Sequence, residues 1–493
     1  MSEITQTHGG PEASSLPAAA VDGFGKIESY GIEIIEQHHR HGTARELFWP
    51  WFSANSTFIN MIVGGILILF GLNLWQALVC IFVGNLVFVL VGLCSLPGPQ
   101  AGTATLVISR AAFGLRGNIV PTAFSWLATL GWETINIILG TFALRTLLDE
   151  LGVSTPHWML APFLVAMALL TFTVPVLGHA TLIVAQRWLA YVLTALTVVM
   201  AIILLPKVHW GYGGGELAAS NSLATWLLGL TAVLGAGAIS WVNYASDYSR
   251  YLPPTTSPRK IVGWVTLATV IPGCMLGGLG VVVGTLVDTS NPIGNLPHVL
   301  PRWFLFPFLI VVLAGVIANN VMNSYSSGLN LLALGLRIAR WKSVFVDGMI
   351  TVAAACIALF FYDFSTVFVE FLSLLVIVLS PWAGIYLVDY LRRRGTYVAH
   401  DLVRRTGGAY WYSAGFNWRA LGALGVGIVA SGLVANTARF QGPIAMDVLG
   451  GADLSPIVGL IVGAGLYAAL TRGVTALVSS APMVADSGDS HAQ

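Results

Sequence analysis

Apolar residues run through this chain in long continuous stretches, interrupted by short polar or charged segments. Residues 47–109 contain no Asp, Glu, Lys or Arg, and neither do residues 151–186 and 303–336. A helix crosses a bilayer in about 20 apolar residues, so the first stretch is too long for one crossing and suits two. Lipid admits only helices and closed barrels, because other structures leave backbone polar groups unsatisfied. Barrel strands alternate apolar and polar residues; these stretches do not, and helices are predicted. Cutting at charges, prolines and polar loops gives twelve spans: residues 47–71, 74–94, 118–143, 158–180, 187–206, 222–246, 260–287, 303–335, 343–361, 365–388, 418–436 and 455–472.

The stretch 1–45 is polar, with Gly, Pro, Ser and four histidines, His8, His38, His39 and His41. It lacks the charged start and short apolar core of a signal peptide and reads as a largely disordered tail. Placing it in the cytoplasm puts nineteen of the 23 Lys and Arg on the inner side, as the positive-inside rule requires. One missed span would reverse every later loop, so this asymmetry also supports the count. Both termini are then cytoplasmic, and the expected location is the plasma (inner) membrane.

Composition agrees with a lipid environment. Of 493 residues, 56% are hydrophobic and 9% charged, with a mean hydropathy of +0.79; a soluble domain carries about 25% charged residues. A net charge of +1 offers no field for nucleic acid. Cys80, Cys94, Cys274 and Cys356 lie apart inside apolar runs, with neither a disulfide ladder nor a CxxC pattern. There is no Walker A, hydrolase elbow or His-Glu-x-x-His. Neither an enzyme nor ATP-driven work is expected, and no cofactor; an ion gradient should supply the energy. No obligate protein partner is implied.

A few spans make poor lipid helices. The first opens Phe48-Trp49-Pro50-Trp51-Phe52-Ser53-Ala54-Asn55-Ser56-Thr57. Pro50 removes a backbone donor, and the polar residues after it offer replacement partners. The sixth contains Leu234-Gly235-Ala236-Gly237-Ala238-Ile239-Ser240-Trp241, where unwinding costs little. These two spans stand five apart. A repeat of spans one to five as six to ten is then inverted in the membrane, and matched broken helices mark a midplane ligand site. Glycine packing is the plainer explanation for Gly237 alone. The predicted organisation is a tail (1–45), a first repeat (46–206), a second (207–390), a cytoplasmic loop (391–417), spans eleven and twelve (418–475) and a cytoplasmic tail (476–493).

The eighth span carries Asn319, Asn320, Asn323, Ser324, Tyr325, Ser326 and Ser327, costly in hydrocarbon unless paired or wet. Asn319, Asn323 and Ser326 share a helix face and point to a polar cavity. In the third span Thr129, Trp132 and Asn136 form one stripe, an aromatic plate with an amide one turn away, suited to a planar hydrogen-bonding ligand. Glu133 is the one charge between Arg116 and Arg145: either a proton-relay group or a buried acid held neutral. Asp363 and Glu370 begin the tenth span, Asp363 at an interface and Glu370 deeper. Asp247 and Arg250 are spaced to pair across one turn at the inner surface. Arg392-Arg393-Arg394 reads as a topology signal, and Gly213-Gly214-Gly215 as an external loop.

Trp51-Phe52-Ser53-Ala54-Asn55, Gly131-Trp132-x-x-x-Asn136, Ala245-Ser246-Asp247-Tyr248 and Ala318-Asn319-Asn320-x-x-Asn323-x-Tyr325-Ser326, with Gly415-Phe416-Asn417-Trp418-Arg419 and Gly450-Gly451-Ala452-Asp453-Leu454, resemble the purine–cytosine permease branch of the nucleobase–cation symporter family. The resemblance implies an all-α membrane protein of twelve transmembrane helices, with a five-plus-five inverted-repeat (sodium-symporter-like) core and two C-terminal helices. Spans one, two, six and seven would move against three, four, eight and nine. Its ligands would be cytosine, purines, hydantoins, allantoin or pyridoxine, imported with Na+ or H+ by alternating access. By the same likeness Trp132 stacks on the ligand, Asn136 offers an amide, Phe52 and Ser53 lie at the break of span one, and Gly237, Ala238 and Ser240 lie at that of span six. Asn320 meets the ligand edge, and Asn323 lies on the same polar helix.

Two departures stand out. Some members hold the ligand between the span-three Trp and an aromatic of span six; here Ala238 falls at that place, leaving Trp241, Phe52 or open space for the second face. The family's sodium site maps to main-chain oxygens of Phe48 and Trp51 with oxygens of Gly315, Ala318 and Asn319, but the neighbouring hydroxyls are replaced by Ala318 and Asn319. Relatives with a similar Ala-Asn-Asn are thought to be proton-coupled, which makes Glu133 a proton candidate. Two alternatives remain: an amino-acid transporter on this fold, and a receptor that binds without translocation.

Overall fold

The computed structural model describes residues 23–28, 30–215, 222–289, 295–361, 364–437 and 439–472. Asp363, the side chain of Glu370 and the tail 476–493 lie outside them. The described residues form helices and no strand, apart from two isolated bridges. By length and composition nine of these helices are able to cross a membrane, and a pair bent by 54° makes up to ten. The eleventh and twelfth spans, Trp418–Leu433 and Ser455–Leu470, are apolar helices of 16 residues each. Leu169, Leu170, Ile202, Val429 and Ile461 point outward and are more than half exposed, as a lipid-facing surface requires.

The first span is the bent pair, Phe48–Asn55 and Phe58–Leu69. The second opens at Leu74 through a capping box: Asn73 Oδ1 accepts the Gln76 amide at 2.9 Å, and Gln76 Oε1 accepts the Asn73 amide at 3.1 Å. The third, Ile119–Glu150, runs past its expected end at residue 143, where Arg145 and Asp149 form an i,i+4 pair at 3.7 Å. The fourth, Leu160–Leu177, meets the fifth, His179–Leu204, with only Gly178 between them. Gly178 has φ +108°, and a Cβ there would lie 2.3 Å from Glu28 Cβ. That turn starts the fifth helix at His179 rather than at 187. The seventh, eighth, ninth and tenth spans are Pro258–Gly284, Arg302–Ala333, Arg340–Phe361 and Phe364–Arg392.

The third span lies along the eighth, the tenth along the twelfth, and the Phe58–Leu69 arm along the seventh. This last contact is backbone on backbone. A Cβ on Gly64 would sit 2.1 Å from Gly277 O, and one on Gly280 would sit 2.1 Å from Met61 O.

The described part of the N-terminal stretch is packed beneath the helices. Its amide at Glu28 donates to Leu177 O (3.0 Å), and that at Ile35 donates to Gly102 O (2.8 Å). Glu28 is fully buried in its side chain. Its Oε1 accepts from Arg250 Nη2 at 2.9 Å, Tyr251 Oη at 2.5 Å and Tyr325 Oη at 3.0 Å, and its Oε2 accepts the His179 amide at 2.9 Å. Arg340 Nε stands 3.4 Å from Oε2. Arg250 therefore turns to Glu28, while Asp247 Oδ1 accepts the Thr105 amide and hydroxyl at 2.7 and 2.8 Å. The Asp247–Arg250 spacing does not produce a direct pair.

Candidate functional site

The break in the first span comes at Ser56 (φ −80°, ψ 46°) and Thr57 (φ −104°, ψ 149°), one turn beyond Phe52 and Ser53. Pro50 does not cause it. A 3-10 turn, Ala44–Leu47, passes into α-helix at Phe48, and Pro50 sits in that first turn, where a missing amide costs little. The polar residues after it do serve the freed backbone. Asn55 Nδ2 donates to Trp51 O (2.9 Å), Ser56 Oγ to Phe52 O (2.8 Å) and Asn60 Nδ2 to Asn55 O (2.6 Å). Ser53 is buried, and its hydroxyl has no partner.

The sixth span breaks at its glycine. Ser222–Ala236 ends at Gly237 (φ −110°, ψ −116°), then come Ala238–Trp241, a 3-10 turn Val242–Tyr244, and Ala245–Ser249. A Cβ on Gly237 would stand 2.9 Å from Val233 O and 3.2 Å from the Phe88 ring. Ser240 Oγ donates to Gly237 O at 2.8 Å. Ala238 is fully buried beside it.

A cavity of about 10 Å³ lies where the two breaks meet the third and eighth spans. Asn55, Thr57 and Asn60 line it from the first span, Trp132 from the third, Ala236, Trp241 and Tyr244 from the sixth, and Asn319 from the eighth. Such a space holds roughly one water, so a ring ligand has to widen it. Trp132 meets Phe371 edge-on at 5.5 Å, and Trp241 packs edge-on between Trp51 (5.4 Å) and Tyr244 (5.1 Å). Of the two aromatics left open for the second face, Trp241 lines the cavity; Phe52 stacks on Phe48 at 5.1 Å instead.

Asn319 knots the site together. Its Nδ2 donates to Ala54 O at 2.9 Å. Its Oδ1 accepts from Asn136 Nδ2 at 2.9 Å and Asn323 Nδ2 at 2.8 Å. Tyr244 Oη donates to Asn323 Oδ1 at 2.9 Å. The three amides from the third and eighth spans thus form one network with the first and sixth. Asn320 is fully buried, and neither of its amide atoms has a partner. Thr129 turns its hydroxyl to Trp126 O at 2.8 Å, away from the network.

The oxygens expected to hold sodium are differently engaged. Trp51 O accepts from Asn55 (2.9 Å), Ala318 O accepts Gln186 Nε2 of the fifth span at 2.7 Å, and Asn319 Oδ1 already takes two amides. Gly315 backs directly onto the first break, its Cβ position 2.9 Å from Ser56 O. Phe48 is half-buried. Side-chain amide donors thus already meet the oxygens of Trp51, Ala318 and Asn319.

Glu133 does not line the cavity. It turns to the ninth span, where its Oε2 accepts Thr351 Oγ1 at 2.6 Å and its carboxyl lies within hydrogen-bonding range of Asp347. Sequence reasoning missed Asp347, although an acid inside the run 343–361 was a visible signal. It also missed Asn60, and Tyr244, Gln186 and Glu28, whose partners lie far along the chain.

The sequence profile of the permeases for cytosine/purines, uracil, thiamine and allantoin matches residues 34–463. The chain belongs to that family. A putative purine-cytosine permease of Bacillus subtilis is 28% identical over 91% of this chain and 96% of its own length. A hydantoin permease of Microbacterium maritypicum is 27% identical over 76% of this chain and 78% of its own. Among solved structures, the nucleobase-cation-symport-1 family transporter Mhp1, closed around bromovinylhydantoin, superposes with a TM-score of 0.75 at 23% identity, covering 91% of this chain and 97% of its own. The chain is a multi-pass membrane permease of the sodium-symporter-like fold and not an enzyme.

Proposed function

We propose that the chain imports a nucleobase or a related planar heterocycle together with a cation, by alternating access. The observation that carries this reading is the cavity between the two broken spans, walled by Trp132 and Trp241 and edged by the amides of Asn55, Asn60 and Asn319. Indole faces suit a flat aromatic ring, and side-chain amides both give and take hydrogen bonds at its edge. No charged side chain is among the described residues lining it, which favours a neutral heterocycle over an amino acid, whose two charges need partners. Asn320, Asn136 and Ser53, each with an unpaired buried atom, are the groups we assign to the ligand once the site widens. Asn323, Ser240, Gly237, Ala238, Phe52 and Thr129 then shape and support it.

Allantoin, hydantoins and B6 vitamers offer the same flat, neutral edge and form the second reading. The Microbacterium relative is itself named a hydantoin permease. Proton coupling accounts better than sodium coupling for a junction of Phe48, Trp51, Gly315, Ala318 and Asn319 where amide donors already meet the oxygens of Trp51, Ala318 and Asn319. The termini face the cytoplasm of an inner-membrane protein in this reading, and spans one, two, six and seven rock against three, four, eight and nine about the cavity.

A thermal-shift screen of the detergent-purified protein with cytosine, hypoxanthine, benzylhydantoin, allantoin, pyridoxine and leucine, with and without sodium and at two pH values, tests this. The expected result is stabilisation by one heterocycle, insensitive to sodium. Stabilisation by leucine alone would overturn it.

A further inference from the structure

Behind the ligand wall the third and ninth spans bring two buried acids together. Glu133 and Asp347 are both fully buried and lie within hydrogen-bonding range of each other. Each has one oxygen held by a neutral donor: Thr351 Oγ1 gives to Glu133 Oε2 at 2.6 Å, and Trp126 Nε1 gives to Asp347 Oδ1 at 2.8 Å. Each has its other oxygen, Glu133 Oε1 and Asp347 Oδ2, without a partner. Ser327 of the eighth span lies against both carboxyls.

Among the described residues no Lys, Arg or His forms an ion pair with either. The fourth span carries no ionisable residue, and the eighth carries only Tyr325 between its ends. Arg340 and Lys342 stand at the inner end of the ninth, and Arg340 is committed to Glu28 and to Pro175 O. The sixth contributes Tyr244 and Asp247, and Tyr244 lies in the neighbourhood of Glu133. The tenth contributes Glu370, whose side chain lies outside the described residues. Two bare carboxylates at such range and depth repel each other and forgo solvation, so the pair retains at least one proton. One proton shared between the two carboxyls would supply the partner that each lacks.

We infer that Glu133 and Asp347 together form the proton-binding site of this transporter, a dyad that passes between one shared proton and two as the ligand site is filled and emptied. The linkage is short. Glu133 follows Trp132 on the same helix, and Tyr244 belongs to the cavity wall, so widening the cavity changes what the dyad faces. A proton taken from outside water makes the pair neutral, and its release to the cytoplasm restores the single shared proton. Asp347 holds the proton as a partner of Glu133 rather than as a spectator. The inference rests on the transport reading above and specifies its coupling ion.

Glu133→Gln and Asp347→Asn each keep a hydrogen bond across the pair but leave one carboxyl, so the two-proton state is lost while both variants should fold. In proteoliposomes with an alkaline interior, the wild type should accumulate the labelled heterocycle picked by the screen. In either variant, accumulation should fall at least roughly tenfold more than counterflow exchange of the same ligand, the size of an ordinary coupling free energy. Equal losses in the two assays, or accumulation at the wild-type level, would overturn the dyad. An infrared readout needs no transport: the protonated-carboxyl stretch of the wild-type protein, shifted in heavy water, should be lost or displaced in both variants. An unchanged band in Asp347→Asn also overturns the dyad. If the wild type moves no member of the panel while the band behaves as expected, the transport reading fails and the shared proton stands.

Discussion

Two buried polar clusters hold this protein together, and they are built from opposite chemistry. The one at the cavity is neutral: Asn319, Asn136, Asn323, Tyr244 and a freed carbonyl at Ala54. The one beneath it is ionic: Glu28 between Arg250 and Arg340, with Tyr251 and Tyr325 closing on the same carboxylate. A neutral hydrogen bond contributes about 1 kcal/mol net and is replaced easily by water or by a ligand. Removing one partner of a fully buried ion pair costs about 3–5 kcal/mol. The contrast assigns the clusters different work. The amide network suits a place where contacts are exchanged in every cycle. The Glu28 cluster joins the inner ends of the sixth, eighth and ninth spans to the N-terminal stretch, and it suits a latch.

The comparison is open to attack at both ends. Glu28→Ala should show the largest effect, a loss of about 3–5 kcal/mol read as a lowered unfolding midpoint in detergent, with Glu28→Gln falling less. A midpoint equal to wild type would remove the latch. Asn319→Ala orphans the amides of Asn136 and Asn323 and should cost about 1–3 kcal/mol in the same assay while abolishing uptake. Uptake at the wild-type rate would mean the network is only structural. Trp132→Ala should abolish uptake, and Trp132→Phe should weaken ligand binding by about tenfold, the worth of an aromatic stacking contact; calorimetry with the selected heterocycle measures it. The smallest effect is expected of Gln186→Leu, about 1 kcal/mol for one lost hydrogen bond. With the amide gone from Ala318 O, sodium should begin to stabilise the protein in a thermal-shift titration. Continued indifference to sodium would separate Gln186 from the ion question.

Much of this arrangement was legible along the chain, for a reason that also sets the limit. Lipid makes every polar residue in a span expensive, so Trp132, Asn136 and the Asn319–Asn323 run stand out against an apolar background. The glycine break at Gly237 was legible for the same reason. The first break was placed one turn early, because proline signals a missing amide but not whether that amide was needed. Asp347 sits only a few residues inside its span, close to Arg340 and Lys342, and so stands out less than Glu133 does. Glu28 lies in a stretch with the composition of a tail, and its arginines are more than 200 residues away. The turn at Gly178 erased a loop that the spacing of charges had suggested. Partners brought together by folding leave no local trace.

The glycine contact between the Phe58–Leu69 arm and the seventh span has a consequence for watching this protein at work. Main chains meet there with no room for a side chain between them, so the two rods are expected to travel as a single spar. Paired spin labels near their outer ends should report an unchanging separation through a whole turnover, and would make a natural ruler against which every moving helix is gauged.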